Sequence, residues 1–256
     1  MHTAKLAASL LVLLALVLGA APARAETVTC TAITALPAVI TVQGVYCFTN
    51  SLATAMTSGF AIDIQTNNVV LDLNGFTLDG LAAGLGTIAF GIQAADRQNI
   101  TIKNGTIRGF RQAIVLDDFG SGASKGHLVE DIRAEQNTEV GIQVKGSGNI
   151  VRNNQVVATG GTTIFGPDVD AVGFRIQGSG SRVLNNDVID TVKQGTGTSR
   201  GILFVEFAGG LAVNNRISIA DRGIDYGFGA TGKFRDNLTF GVTTPFTNGT
   251  DAGNNN

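Results

Sequence analysis

Short apolar runs recur along this chain, each alternating apolar and polar residues and each beginning in the same way. Glycine or alanine followed by an aliphatic or aromatic residue opens GIQA (91–94), AIVL (113–116), GIQV (141–144), GFRI (173–176), GILF (201–204) and GIDY (223–226). In GIQV, Ile142 and Val144 face one way while Gln143 and Lys145 face the other, which is the period of a strand and not of a helix. The second residues of these runs, Ile92, Ile114, Ile142, Phe174, Ile202 and Ile224, stand 22, 28, 32, 28 and 22 positions apart. A unit constant at its start and variable in length predicts a solenoid that carries its insertions in the bends.

Each unit holds a second run interrupted by an amide-rich pair: Asn74-Gly75, Asn104-Gly105, Asn153-Asn154, Asn185-Asn186, Asn214-Asn215 and Asp236-Asn237. Asparagine and glycine tolerate a left-handed backbone, so the pair predicts a tight bend between two strands. Stacked bends let side-chain amides hydrogen-bond from coil to coil. One coil of short strands cannot bury its own apolar face, but stacked coils about 4.8 Å apart share a continuous core of Ile, Val, Leu and Phe. The pattern therefore predicts an all-β parallel β-helix of about seven coils. The run HLVEDIRAEQN (127–137) has Glu130-Asp131 where the others have amide pairs, and its register is not fixed by the pattern.

Composition narrows the setting. The chain has 256 residues, 34 glycines, no tryptophan and a formal net charge of −2, which gives no bulk attraction to nucleic acid. Lys5, the apolar run Leu6 to Leu18 and Ala23-Arg24-Ala25 form a signal peptide over 1–25, too short for a membrane span. The protein is accordingly expected to be secreted or periplasmic. Export places Cys30 and Cys47 where disulfides persist, and a bridge between them would staple an N-terminal cap, 26–60. The solenoid is then 61–246, and the polar tail 247–256 is expected to fray.

Segments such as NNVVLDLNGFTL (67–78) and NITIKNGTIRGF (99–110), with the Gly-Ile starts and amide bends, resemble the secreted bacterial right-handed parallel β-helix proteins. This is the pectin-lyase-like superfamily, with its carbohydrate-binding, sugar-hydrolase and NosD-like members. The resemblance implies a right-handed coil and a functional surface on or beside the sheet made by the first strand of each coil. One outward column there would be Gln93, Val115, Gln143, Arg175, Leu203 and Asp225; the next, Ala95, Asp117, Lys145, Gln177 and Glu206. Polygalacturonase-like members carry N-T-D, D-D, G-H-G and R-I-K on four successive coils. Here the corresponding segments read Gln93-Ala94-Ala95, Asp117-Asp118, Lys145-Gly146 and Arg175-Ile176-Gln177, so only the Asp pair and the Arg-Ile step match.

Glycoside hydrolysis needs two carboxyl groups across the scissile bond, and Asp117 and Asp118 are adjacent in sequence. A lyase needs a cation, a base and a proton donor, for which Lys145, Arg175, His127 and Tyr226 are available. A copper or zinc site lacks ligands once the leader is removed, since one histidine, Met56 and two bridged cysteines remain. Calcium would find its oxygens in Asp117, Asp118, Asp168 and Asp170, although no calcium-loop motif is present, and no cofactor is expected. GFGATG (227–232) meets G-x-G-x-x-G by spacing alone and reads as a turn. The expectation is an exported protein that binds an extended ligand, polysaccharide or cell-envelope glycan, through Gln93, Gln143, Arg175 and Gln177. The alternatives are an atypical polysaccharide lyase or glycoside hydrolase, and a purely structural solenoid.

Overall fold

A computed structural model describes residues 29–206 and 209–256. The expected leader over 1–25 lies outside the described residues. Among the described residues every strand ladder is parallel, and each strand within the stack pairs with the equivalent strand of the coil before and after it. In the first sheet, for example, Ile114 pairs with Ile92 on one side and Ile142 on the other. Three sheets result. The first contains Phe60–Ile64, Phe90–Ala95, Gln112–Asp117, Val140–Lys145, Ala171–Gln177 and Ser199–Val205, and it continues into the last parts of Arg216–Gly227 and Leu238–Thr247. The inward column Ile62, Ile92, Ile114, Ile142, Phe174, Ile202 and Ile224 is fully buried and runs the length of one continuous core.

Between the second and third sheets lies the bend expected from the amide pairs. The first member of each pair has a left-handed backbone, with φ between +50° and +59° at Asn74, Asn104, Asn153, Asn185, Asn214 and Asp236. Asp131 has the same conformation, and Ile132 pairs with Gly105, which fixes the register of 127–137. From Asn154 onward the second members point inward and form a ladder. Asn186 Oδ1 accepts from the backbone N–H of Asn154 at 2.9 Å and from its side-chain amide at 3.0 Å. Asn186 Nδ2 donates to Val151 O and to Asn215 Oδ1, and the pattern repeats through Asn237 to Asn255.

The first-sheet glycines have a steric reason. A Cβ on Gly141 would stand 2.6 Å from the carbonyl oxygen of Gly173, and one on Gly173 would stand 2.5 Å from that of Gly201. Ala113 occupies the same column, so the coil there accommodates one methyl group.

Both ends of the repeat extend further than expected. Thr31–Ile33, Ala38–Ile40, Gly44–Phe48 and Leu52–Ala53 already run in register with later strands, so 26–60 contains turns of the same solenoid. The Cys30–Cys47 disulfide ties two of those neighbouring turns together. The tail 247–256 does not fray. Thr250–Asp251 pairs with Thr231–Arg235, and the Asn256 N–H donates to Asn237 O at 2.9 Å. Apolar pattern is a poor guide to this segment because side-chain amides, not aliphatic burial, bind it.

Replacing Asn186 by alanine strands the Asn154 N–H in a dry bend and removes the side-chain donor from Val151 O and from Asn215 Oδ1, the latter still served by the backbone N–H of residue 186. Each orphaned group costs about 1–3 kcal/mol. Asn186→Ala should therefore lower stability by roughly 3 kcal/mol or more in urea titration, whereas Asn153→Gly, at the exposed left-handed position, should change it by less than about 1 kcal/mol. Equal losses from the two variants would show that the buried amides are not what holds the bend.

Candidate functional site

The outward face of the first sheet carries the expected column in the expected register. Asp63, Gln93, Val115, Gln143, Arg175, Leu203 and Asp225 stand one above another. In the next column Asp117 pairs with Ala95, and Gln177 pairs with Lys145 and with Val205. Glu206 is thus not in this column. It sits one step further on, with φ of 40°, and accepts a hydrogen bond from Gln177 Nε2 at 3.2 Å. Val140, Val172, Leu203 and Val205 form an apolar cluster of their own, separate from the inner core.

Bends flank this face on both sides, and we call the strip between them the trough. Along the edge where first-sheet strands begin, the insertion 161–170 reaches back to an earlier coil, and the Thr163 N–H donates to Leu85 O at 3.2 Å. The Arg111 guanidinium lies 4.4 Å from the centre of the Phe165 ring and 5.6 Å from that of Phe90, and pairs with Glu139. The second insertion, 193–200, joins the same wall: Val169 and Gln194 exchange two backbone hydrogen bonds. Asp168 and Asp170 accept from the Thr196 and Thr198 N–H groups at 2.6 and 2.7 Å. Those bonds hold Asp168 below the usual carboxylate range. Burial opposes the same effect at Asp170, where the Thr198 N–H and the Arg200 guanidinium prevail.

The opposite wall is the loop after Asp117. Burial would push Asp118 up, but hydrogen bonds from Gly122, Gly120, Ser124 and Ser121 hold its carboxyl below the ordinary value. Beneath this loop a cavity of about 280 Å³ is lined by Asp118, Gly120, Gly122, Lys145, Gln177 and Glu206, among others. Lys145 Nζ is 2.8 Å from Asp117 Oδ1, and Gln143 Nε2 donates to Asp117 Oδ2 at 3.3 Å. A larger concavity, about 480 Å³, lies on the outer face of the third sheet between Ile189, Leu238 and Phe240. Its lining is mixed: the Arg216–Asp187 ion pair, Ser218 and Thr239 stand beside the aliphatic and aromatic groups.

The structure brings Gln93, Gln143, Arg175 and Gln177 onto one face with Asp117, Asp118 and Lys145, but it takes His127 and Tyr226 out of any lyase assembly. Tyr226 is inside the coil, stacked on Phe204 with ring centres 4.5 Å apart, and donates to Lys233 O at 2.9 Å. Burial holds its phenol well above the ordinary value. His127 is buried in the bend between the first and second sheets. Its Nδ1 accepts from the Ile100 N–H at 3.2 Å and its Nε2 lies 2.8 Å from Ser124 Oγ, which itself donates to Lys145 O. One coil later the His127 N–H donates to Asn149 Oδ1 at 2.9 Å. The imidazole nitrogen therefore stands where the next coil has an amide oxygen. His127 is a rung of the scaffold, a role its sequence position does not reveal.

The calcium set is not assembled either. Asp117 ends a strand of the floor and Asp118 begins the loop after it, while Asp168 and Asp170 lie on the opposite wall, each already bonded to cations or N–H groups, and no cluster of three metal-ligating side chains exists among the described residues. The GFGATG segment is a turn between strands, as expected. No helix among the described residues is long and apolar enough to cross a membrane.

A solenoid of parallel coils with a flanked trough on its first sheet defines a β-helix protein with a linear surface. Residues 90–255 match the model of the family described as right handed beta helix region, and the chain belongs to that family. No curated protein matches the sequence. Among solved structures, the catalytic domain of a GH87 alpha-1,3-glucanase in complex with tetrasaccharides is similar with a TM-score of 0.48 and 11% identity, over 90% of this chain and 63% of that one. Endopolygalacturonase I from Stereum purpureum is similar with a TM-score of 0.42 and 13% identity, over 83% of each chain. The chain spans less than two thirds of the glucanase domain's length.

Burial pushes His127 down from 6.5 to about 4, so the folded protein keeps it neutral while the unfolded chain takes up a proton below pH 6.5. Its stabilising share is complete above pH 6.5 and is lost as pH falls through about 4, a change of roughly 3 kcal/mol. His127→Asn retains an acceptor for Ile100 and should remain within about 1 kcal/mol of the parent at pH 7, then become the more stable of the two below pH 5. Parallel stability curves for the two proteins from pH 8 to pH 4 would place the imidazole in water, not in the bend.

Proposed function

We propose that this is an exported protein that binds an extended polysaccharide along the first-sheet trough. One observation carries the reading: Gln93, Gln143, Arg175 and Gln177 stand outward on one sheet, in register, between two walls of bends. Coils repeat about every 4.8 Å, close to the rise of one sugar in an extended glycan, so a chain laid along the axis meets a fresh set of side chains at each unit. Amide and guanidinium groups offer donors and acceptors to hydroxyls. The Cys30–Cys47 disulfide and the leader-like segment 1–25 support export.

Titration of the mature protein against a panel of soluble polysaccharides tests this reading. The double variant Arg175→Ala, Gln177→Ala should bind at least about tenfold more weakly, a loss of some 1.4 kcal/mol, with an unchanged Tm because both side chains point away from the core. Parental affinity in the double variant would move the site off this sheet.

A further inference from the structure

If the trough binds polysaccharide, the charges and acceptors of its floor decide which kind. Its cations are nearly all spent. Lys145 pairs with Asp117 at 2.8 Å, Arg200 pairs with Asp170 at 2.6 Å and Asp225 at 3.0 Å, and Arg222 pairs with Asp225 at 2.8 Å. Among the described residues, Arg175 is the one floor cation without an ion pair. A polyuronate brings a carboxylate with every sugar and needs a free cation at each coil it crosses. Asp63, Asp117 and Asp225 on the floor, with Asp118 and Glu206 at the rim, would meet it with like charge.

The unsatisfied groups on the first-sheet strands, Gln93 Oε1, Gln112 Oε1 and Asp225 Oδ1, point the same way, because they are acceptors. Asp225, whose side chain is 1% exposed, takes both guanidiniums on Oδ2 and leaves Oδ1 with no hydrogen-bond partner. Gln93 Oε1 and Gln112 Oε1, on the same sheet, are also buried and unpartnered. A buried acceptor without a donor is unfavourable by about 1–3 kcal/mol, and an O–H group relieves it whereas an ionised carboxylate has no proton to offer. Asp225 belongs to the same outward column as Gln93 and Arg175. Gly227 adjoins it: a Cβ there would stand 3.9 Å from both Asp225 carboxylate oxygens and 3.3 Å from Leu203.

We propose, resting on the polysaccharide reading, that the trough selects an uncharged, hydroxyl-rich glycan over a polyuronate. Asp225 Oδ1 accepts a ligand hydroxyl while Arg200 and Arg222 hold the carboxylate in place.

Calorimetric titration of the mature protein with dextran, laminarin and xyloglucan as neutral probes, and with polygalacturonate and alginate as acidic ones, tests the selection at low and raised salt. We expect a neutral probe to bind at least about tenfold tighter than either acidic probe, with an affinity insensitive to salt. Gly227→Ala, which crowds Asp225 without altering its ion pairs, should weaken the neutral probe about tenfold at unchanged Tm. Asp225→Asn, which removes the negative charge, should weaken the neutral probe and improve polygalacturonate. Tighter binding of an acidic probe, weakened by salt, would overturn the selection and leave the polysaccharide reading standing. Failure of every probe to bind would overturn that reading itself. Neutral binding undiminished in both variants would remove Asp225 from the site.

Discussion

The parallel backbone ladder sets the distance between coils at about 4.8 Å, and every other feature of the molecule is an answer to that spacing. Each residue lies directly over its equivalent in the coil below, so a column must consist of side chains that tolerate their own kind at that distance. Aliphatic groups do so in the core. Aromatic rings do so by stacking face to face, as Phe204 does on Tyr226. Primary amides do so by donating in one direction and accepting in the other, which no carboxylate can do. Where a neighbouring carbonyl leaves no room for a Cβ, as at Gly141 and Gly173, glycine is the residue that fits.

The same constraint separates scaffold from surface. Inward and bend columns repeat one kind of contact with neighbouring coils, while the outward face of the first sheet is bonded pair by pair, as Lys145 and Gln143 are to Asp117 and Arg200 to Asp225. Its side chains are not bound to a repeating ladder, and so Gln143, Arg175 and Asp225 differ from one coil to the next where the inward column scarcely varies. His127 illustrates the boundary well. A residue type that usually invites a catalytic reading is consumed by the bend, and burial keeps it neutral where a general acid would need to titrate.

How far the sequence disclosed this depends on periodicity. The first-sheet column from Gln93 to Asp225 was legible residue by residue because Gly-Ile starts and amide bends frame each unit. The bend at Asp131-Ile132 was not, because an aspartate carries the left-handed position there and an isoleucine stands where others have an amide or a glycine. The walls were illegible for a different reason: insertions 161–170 and 193–200 have no repeat, and their contacts with Leu85 and with each other are tertiary. The pairing of Arg200 with both Asp170 and Asp225 joins residues far apart in sequence, and no spacing rule signals it. The polar tail misled because its amide, Asn255, works as the end of a ladder and not as a solvated terminus.

That ladder has a direction. From Ile132 through Asn154, Asn186, Asn215 and Asn237 to Asn255, every side-chain carbonyl accepts from the coil before it, so the amide dipoles line up and polarise one another. A vectorial stack of this kind can be spliced only at coil boundaries: removing or duplicating one whole coil rejoins donor to acceptor, whereas a partial deletion leaves both unmatched. The trough on the first sheet is therefore quantised in length, and it can be lengthened or shortened only by whole coils, without redesigning a single contact in the core.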